Sequence, residues 1–210
     1  EDEPNHAFSI LSIDKSEQLI EDESLDTRII TGFKRRLNDL EALARDDEGF
    51  IYALTSHSRN KKGQRSPDRE HMLRFKIQNG EVLGLTSYDD LTQVLETDTK
   101  LHDLIRERTN AEVSFEEINI EGMAFDPVKK RLVLGFRDPE FNNMALVAFI
   151  ANPKEVFEHK AKPEFDEVAV IDIAGGGIRS LNYDPILKTY IIANEVKDEA
   201  GERFSQLWTW

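Results

Sequence analysis

The chain contains no cysteine, which rules out disulfides, thiolate nucleophiles and cysteine-ligated zinc. The compartment stays open on that ground, because exported proteins also do without cysteine. No apolar run approaches the length that spans a bilayer as a helix, and no leader of the secretory type is present. The five histidines show no metal-ligand spacing. There is no nucleophile elbow and no Ser-His-Asp set. Ala174-Gly175-Gly176-Gly177 lacks the Lys-Ser/Thr of a phosphate loop, and a strand pattern rather than a helix follows it, so its glycines are read as a tight entry into that strand. Positive charge is also short. Lys and Arg number 27 against 41 Asp and Glu, and the net charge of −14 excludes nucleic acid and anionic membrane as expected partners. The chain opens on Glu1 rather than Met, as a processed product or a truncated piece would. A periplasmic or secreted location is expected if a leader was removed, and a cytoplasmic one otherwise.

What the sequence has in quantity is repetition. Residues 39–57, 119–137 and 177–195 align without a gap. With Glu41, Glu121 and Arg179 as position zero, Leu43, Met123 and Leu181 are the next apolar anchors. Asp46, Asp126 and Asp184 stand five residues on, two of them before Pro127 and Pro185. His57, Arg137 and Glu195 stand sixteen on. An Asp that caps its own backbone, followed by a residue that presets φ, is turn chemistry, and the flanking segments alternate apolar with polar. Each copy therefore predicts a β-hairpin.

Further strand patterns follow at 71–77, 81–87, 144–150, 167–173 and 204–210, with 27–33 ahead of the first hairpin. About four strands per unit is the arithmetic of a propeller blade. The predicted fold is all-β, with propeller-like blades of about four antiparallel strands, in one domain over 27–210. Residues 1–26 form a separate segment or an incomplete strand unit, with one apolar run at 7–13. Residues 87–108 break the β pattern with apolar residues at helical spacing, a break between two short helices at Asp98 or Thr97, and Ser87 with Asp90 as an expected capping box. His102 is expected to face solvent. The basic loop 58–70 has no apolar residue and reads as a solvated, mobile connector.

If the inner strand of each blade lines a common axis, the position-zero residues converge. Asp39, Glu41, Glu121 and Arg179 then meet, with Asn38 and Asn119 beside them, and His57, Arg137 and Glu195 return to the same end. Carboxylates gathered at one axis need arginine partners, a cation or raised pKa values. Asp39, Glu41 and Glu121 are candidate ligands for Ca²⁺ or Mg²⁺. Arg137 and Arg179 are candidate clamps, and His57 a candidate proton carrier. The alternative is an ion-pair network without a ligand.

Asn119-Ile-Glu-Gly-Met-Ala, Gly135-Phe-Arg-Asp-Pro, Gly177-Ile-Arg-Ser-Leu and the closing Leu207-Trp-Thr-Trp resemble the bacterial family called Domain of Unknown Function 3616 over roughly residues 36–210. A weaker similarity is to the esterase-like phytase group, whose members carry an Asp-Xaa-Glu-Gly-Leu-Ala strand start. Here Ala42 replaces its Gly, and Arg179 stands where a Glu would. The resemblance implies a propeller-like fold and longer relatives. Three blades do not close a ring, so a missing chain portion or a second chain is expected to complete it. Two functions follow as expectations. One is a binding module for a polar ligand, cation or protein partner at the channel mouth. The other is a metal-assisted phosphoester hydrolase.

Overall fold

The computed structural model describes residues 11–21, 24, 32–33 and 36–210. The strand pattern expected at 27–33 lies mostly outside the described residues, and so does 7–10 of the early apolar run. Gly32 is helical, and Phe33 is buried edge-on against Phe75 at 5.1 Å. Leu11–Ile13 (β1) and Leu19–Glu21 (β2) pair as an exposed two-stranded ribbon.

Three antiparallel meanders follow, as the repeat predicts. The first sheet holds Leu40–Arg45 (β3), Ile51–Thr55 (β4), Met72–Gln78 (β5) and Glu81–Tyr88 (β6), in that order. The second holds Asn119–Asp126 (β7), Arg131–Phe141 (β8), Met144–Ile150 (β9) and Phe165–Asp172 (β10). The third has three strands, Ile178–Asp184 (β11), Thr189–Lys197 (β12) and Arg203–Thr209 (β13). Inner strand β7 lies against both β3 and β11. The sheets are therefore all-β, propeller-like blades set side by side.

The aspartate five residues past position zero does what its chemistry dictates in every copy. Asp46 Oδ1 accepts from the Glu48 and Phe50 amides, Asp126 Oδ1 from Val128 and Lys129, and Asp184 Oδ1 from Ile186 and Leu187. Each turn is thus closed by its own side chain.

Apolar alternation glues the sheets face to face. One core joins the first and second sheets through Tyr52, Leu54, Met72, Phe125, Leu134 and Phe136. Another joins the second and third through Val133, Val147, Ile178, Leu181 and Ile192. Burying one such side chain contributes about 1.5–3 kcal/mol. Gly122 and Gly135 let β11 approach closely, since a Cβ on either would stand 2.7–2.8 Å from Ile178 Cγ2. Of the three repeat anchors, Met123 and Leu181 are buried while Leu43 is 50% exposed. Leu43 lies on the face of the first sheet turned away from its neighbour, where no further sheet among the described residues covers it.

The insert forms Leu91–Thr97 (α1) and Thr99–Thr109 (α2), and its apolar stripe joins the first core. Asp98 makes the break and caps α2, accepting from the Leu101 amide at 2.8 Å. The expected Ser87–Asp90 capping box does not form. Ser87 is the penultimate residue of β6 and bonds Asp89, and Asp90 is an N-cap without a side-chain bond. His102 is half-buried rather than solvent-facing, with Nε2 2.8 Å from the Leu95 carbonyl. A third helix, Pro153–His159 (α3), packs Val156 and Phe157 into the same core. The basic loop is exposed over 61–64, as expected, but its ends are tied down. Arg65 donates to the carbonyls of His57 and Phe115, and Arg69 is buried.

Candidate functional site

Position zero has a structural identity that the sequence did not spell out. In β3 the pairing steps from Leu40↔Thr55 to Ala42↔Leu54, leaving Glu41 as an extra residue. In β7 it steps from Ile120↔Phe136 to Gly122↔Gly135, leaving Glu121. In β11 it steps from Ile178↔Asn194 to Ser180↔Ala193, leaving Arg179. All three are bulged residues. A bulge breaks the alternation and re-aims one side chain, which is how each strand turns a charged group toward its neighbours.

Two of those side chains meet. Glu121 is 5% exposed, and Arg179 Nη1 lies 3.0 Å from its Oε1 and 2.9 Å from its Oε2. Arg137 Nη1 donates to the same Oε1 at 2.8 Å, and Asn119 Nδ2 donates at 3.0 Å. A buried carboxylate is tolerated because donors from two sheets surround it. The arginines themselves are partly open, with side chains 38% and 33% exposed.

Both arginines line a cleft of about 300 Å³ between the second and third sheets. Its other charged walls are Asp138, Glu140, Glu195, Lys197 and Arg203. Glu195 accepts from Arg203 at 3.0 Å. Burial disfavours the charged form of Arg137, but the bond and charge of Glu121 outweigh it and hold the guanidinium more basic than usual. Burial, then repulsion from Asp138, pushes the Glu140 carboxyl up against the pull of Arg137.

The glycine run forms the floor. A Cβ at Gly177 would stand 2.0 Å from the Arg137 carbonyl oxygen, and one at Gly176 would stand 2.3 Å from that of Glu195. Buried Asn194 pins the run by donating from Nδ2 to the carbonyls of Ile173 and Gly175, while Trp208 Nε1 donates to its Oδ1. The tight strand entry expected of these glycines is what the chain makes.

The remaining candidates lie elsewhere. Asp39, at φ 62°, pairs with buried Arg69 at 2.8 Å and accepts from Ser58 Oγ at 3.3 Å. Glu41 occupies its bulge half-buried. His57 is fully buried, with Nδ1 2.9 Å from Thr92 Oγ1 on α1, and it does not line the cleft. Burial brings its pKa down to about 3, with the charges of His71 and Arg65 adding to the effect, so the ring is neutral near pH 7. Among the described residues, no group of three or more His, Asp or Glu side chains is arranged to hold a metal ion. Of the three expected cation ligands, Asp39 is paired with Arg69 and Glu121 with Arg137 and Arg179. Neither Arg69 nor the bulges were foreseen. Arg69 reaches Asp39 because a loop folds back, and no local spacing encodes that. A bulge leaves only a slip in alternation.

Three propeller-like sheets, with a charged cleft between two of them, define the class: an all-β protein of propeller-like blades. Residues 34–193 match the family described as Protein of unknown function (DUF3616), and the chain belongs to that family. No curated protein matches the chain. No helix among the described residues is long and apolar enough to cross a membrane.

Proposed function

We propose that the protein is a binding module, and that it takes a small polar ligand in the cleft between the second and third sheets through a negatively charged group held by Arg137 and Arg179. One observation carries this reading. Two guanidinium groups share the single carboxylate of Glu121, yet each remains about a third exposed in a cleft. At the base of the cleft two guanidinium groups outnumber the one carboxylate that they hydrogen-bond, with Asp138 and Glu195 acting on Arg137 from further off, and in this reading an oxyanion takes up the exposed N–H groups. Asp138 and Glu140 at the rim suit a hydrogen-bond donor on the same ligand.

Differential scanning of the full chain with phosphate, citrate, Ca²⁺ and Mg²⁺ tests it. A ligand that binds the folded state raises Tm with the logarithm of its concentration. The anions are expected to raise it, and Arg137→Gln and Arg179→Gln to abolish the rise. No response to any oxyanion overturns the reading. A rise with Ca²⁺ or Mg²⁺ that is lost in Glu121→Gln, together with turnover of a generic phosphoester, would replace it with the metal-assisted hydrolase, Asp39, Glu41 and Glu121 being its ligands.

A further inference from the structure

The third sheet stops one strand short. The first and second sheets run to four strands each, while the third ends at β13, whose outer edge pairs with no strand among the described residues. In the four-stranded sheets the outermost strand supplies core. β6 packs Val82 and Leu85 against the cluster that holds Phe33 and Phe75, and β10 buries Phe165 and Val168. Beside β13 the apolar side chains are left open. Phe204 shares with Trp208 the face turned to the second sheet and is 44% exposed, and Leu207 on the opposite face is 77% exposed.

The ladder decides which main-chain groups this edge presents. Tyr190 and Trp210 exchange both of their bonds, at 2.8 and 2.9 Å. Antiparallel pairs alternate, so Trp208, Gln206 and Phe204 bond β12, while Thr209, Leu207 and Ser205 turn N–H and C=O outward. The chain also holds an element with the reverse deficit. Among the described residues β1 and β2 pair only with each other, and a ribbon of two three-residue strands is marginal in water. Its turn is nonetheless specified, because Asp14 Oδ1 accepts from the Ser16 and Gln18 amides. Leu11, Ile13 and Leu19 share one face of the ribbon and are 52%, 70% and 66% exposed. An apolar face on a short strand is what the place beside Phe204 requires.

We propose that the outer edge of β13 receives the β1–β2 ribbon of a second copy of this chain, which supplies the strand that the third sheet lacks. The ribbon bonds the outward main-chain groups of Ser205, Leu207 and Thr209. It lays Leu11, Ile13 and Leu19 beside Phe204, continuing the core between the second and third sheets. The exchange is reciprocal, since each copy gives one ribbon and receives one. The contact is therefore two-fold and closes at a dimer.

Sedimentation velocity of the full chain, from about 5 μM to about 500 μM, tests this, and a concentration-dependent dimer is expected. Leu207→Pro removes an outward N–H that β12 does not use, and Ile13→Asp charges the apolar face of the ribbon. Each is expected to weaken the dimer about tenfold or more. Val128→Asp, at a turn tip 80% exposed, is expected to leave it unchanged. Ser12 and Ser205 fall on one face of the joined sheet, opposite Ile13 and Phe204. The chain has no cysteine, so a short bismaleimide added to the Ser12→Cys/Ser205→Cys variant reports this contact alone, and it is expected to join two chains. If Leu207→Pro does not fold, Ile13→Asp and the cross-link carry the test. A monomer throughout the range, a dimer untouched by Ile13→Asp, or cross-links confined within single chains would each overturn the proposal.

Discussion

Arg179 reaches Glu121 across the boundary between two sheets because both are the extra residue of a β-bulge at the same point of their repeats. Glu121→Gln removes the charge that two arginines share. Its expected cost is about 1–3 kcal/mol, at the lower end if the open guanidinium groups recover water. Urea denaturation measures it. In a double-mutant cycle with Arg179→Gln, a coupling of about 0.5 kcal/mol or more is expected. Strict additivity would mean that the contact seen here contributes nothing.

Gly177→Ala sets a methyl group against backbone rather than against a side chain that could swing away. Overpacking of this kind costs about 1–3 kcal/mol, and here the strain falls on the Arg137 main chain. The expected result is a lower urea midpoint together with weaker oxyanion binding in the cleft. Unchanged values in both measurements would show that β8 and the loop separate freely.

The repeat aspartates are expected to differ in weight although they cap equivalent turns. Asp184→Ala loses bonds in an open turn and is expected to cost about 1 kcal/mol. Asp126→Ala also loses the buried contact of Asp126 Oδ2 with Arg131 at 3.1 Å and is expected to cost about 2–3 kcal/mol. Burial alone would raise the Asp126 pKa; the bonds from the Lys129 and Val128 amides and from Arg131 bring it below the usual value. Equal losses in the two variants would refute the ranking.

His57 gives the protein an acid-sensitive component. Its folded pKa, about 3, lies below the ordinary 6.5. As pH falls from 6.5 toward 3, the unfolded chain takes up a proton that the folded chain refuses. The contribution of His57 is therefore complete above 6.5 and lost on acidification, with a slope of up to about 1.4 kcal/mol per pH unit. Urea midpoints at several pH values, for the parent and for His57→Gln, read it directly. Parallel profiles would show that other groups govern the acid limb.

How legible all this was depended on whether the relevant physics is local. The Asp46, Asp126 and Asp184 turns were readable because an aspartate caps amides two to four residues away. The meeting of Glu121 with Arg179 followed from repeat arithmetic together with the blade geometry that the repeat implies. The bulges that produce that meeting were not readable, because an unpaired residue is defined by the partner strand. Nor was the exposure of Leu43, which depends on which face of its sheet has a neighbour. Arg69 and Arg74 looked like ordinary basic residues in a loop and a strand. Their burial depends on Asp39 and Glu158, and chain distance hides both. His57 was placed at the correct end of its hairpin, but α1 covers it, and helix docking has no signature in the hairpin itself.

Between sheets, among the described residues, one main-chain bond crosses, from the Ile120 amide to the Ser56 carbonyl at 2.9 Å. Everything else that holds one meander to the next is side-chain shape and charge. A methyl group at Gly122 would press on Ile178 and also on the Gly135 backbone, so the spacing of the second and third meanders is held by the smallest residues at their contact.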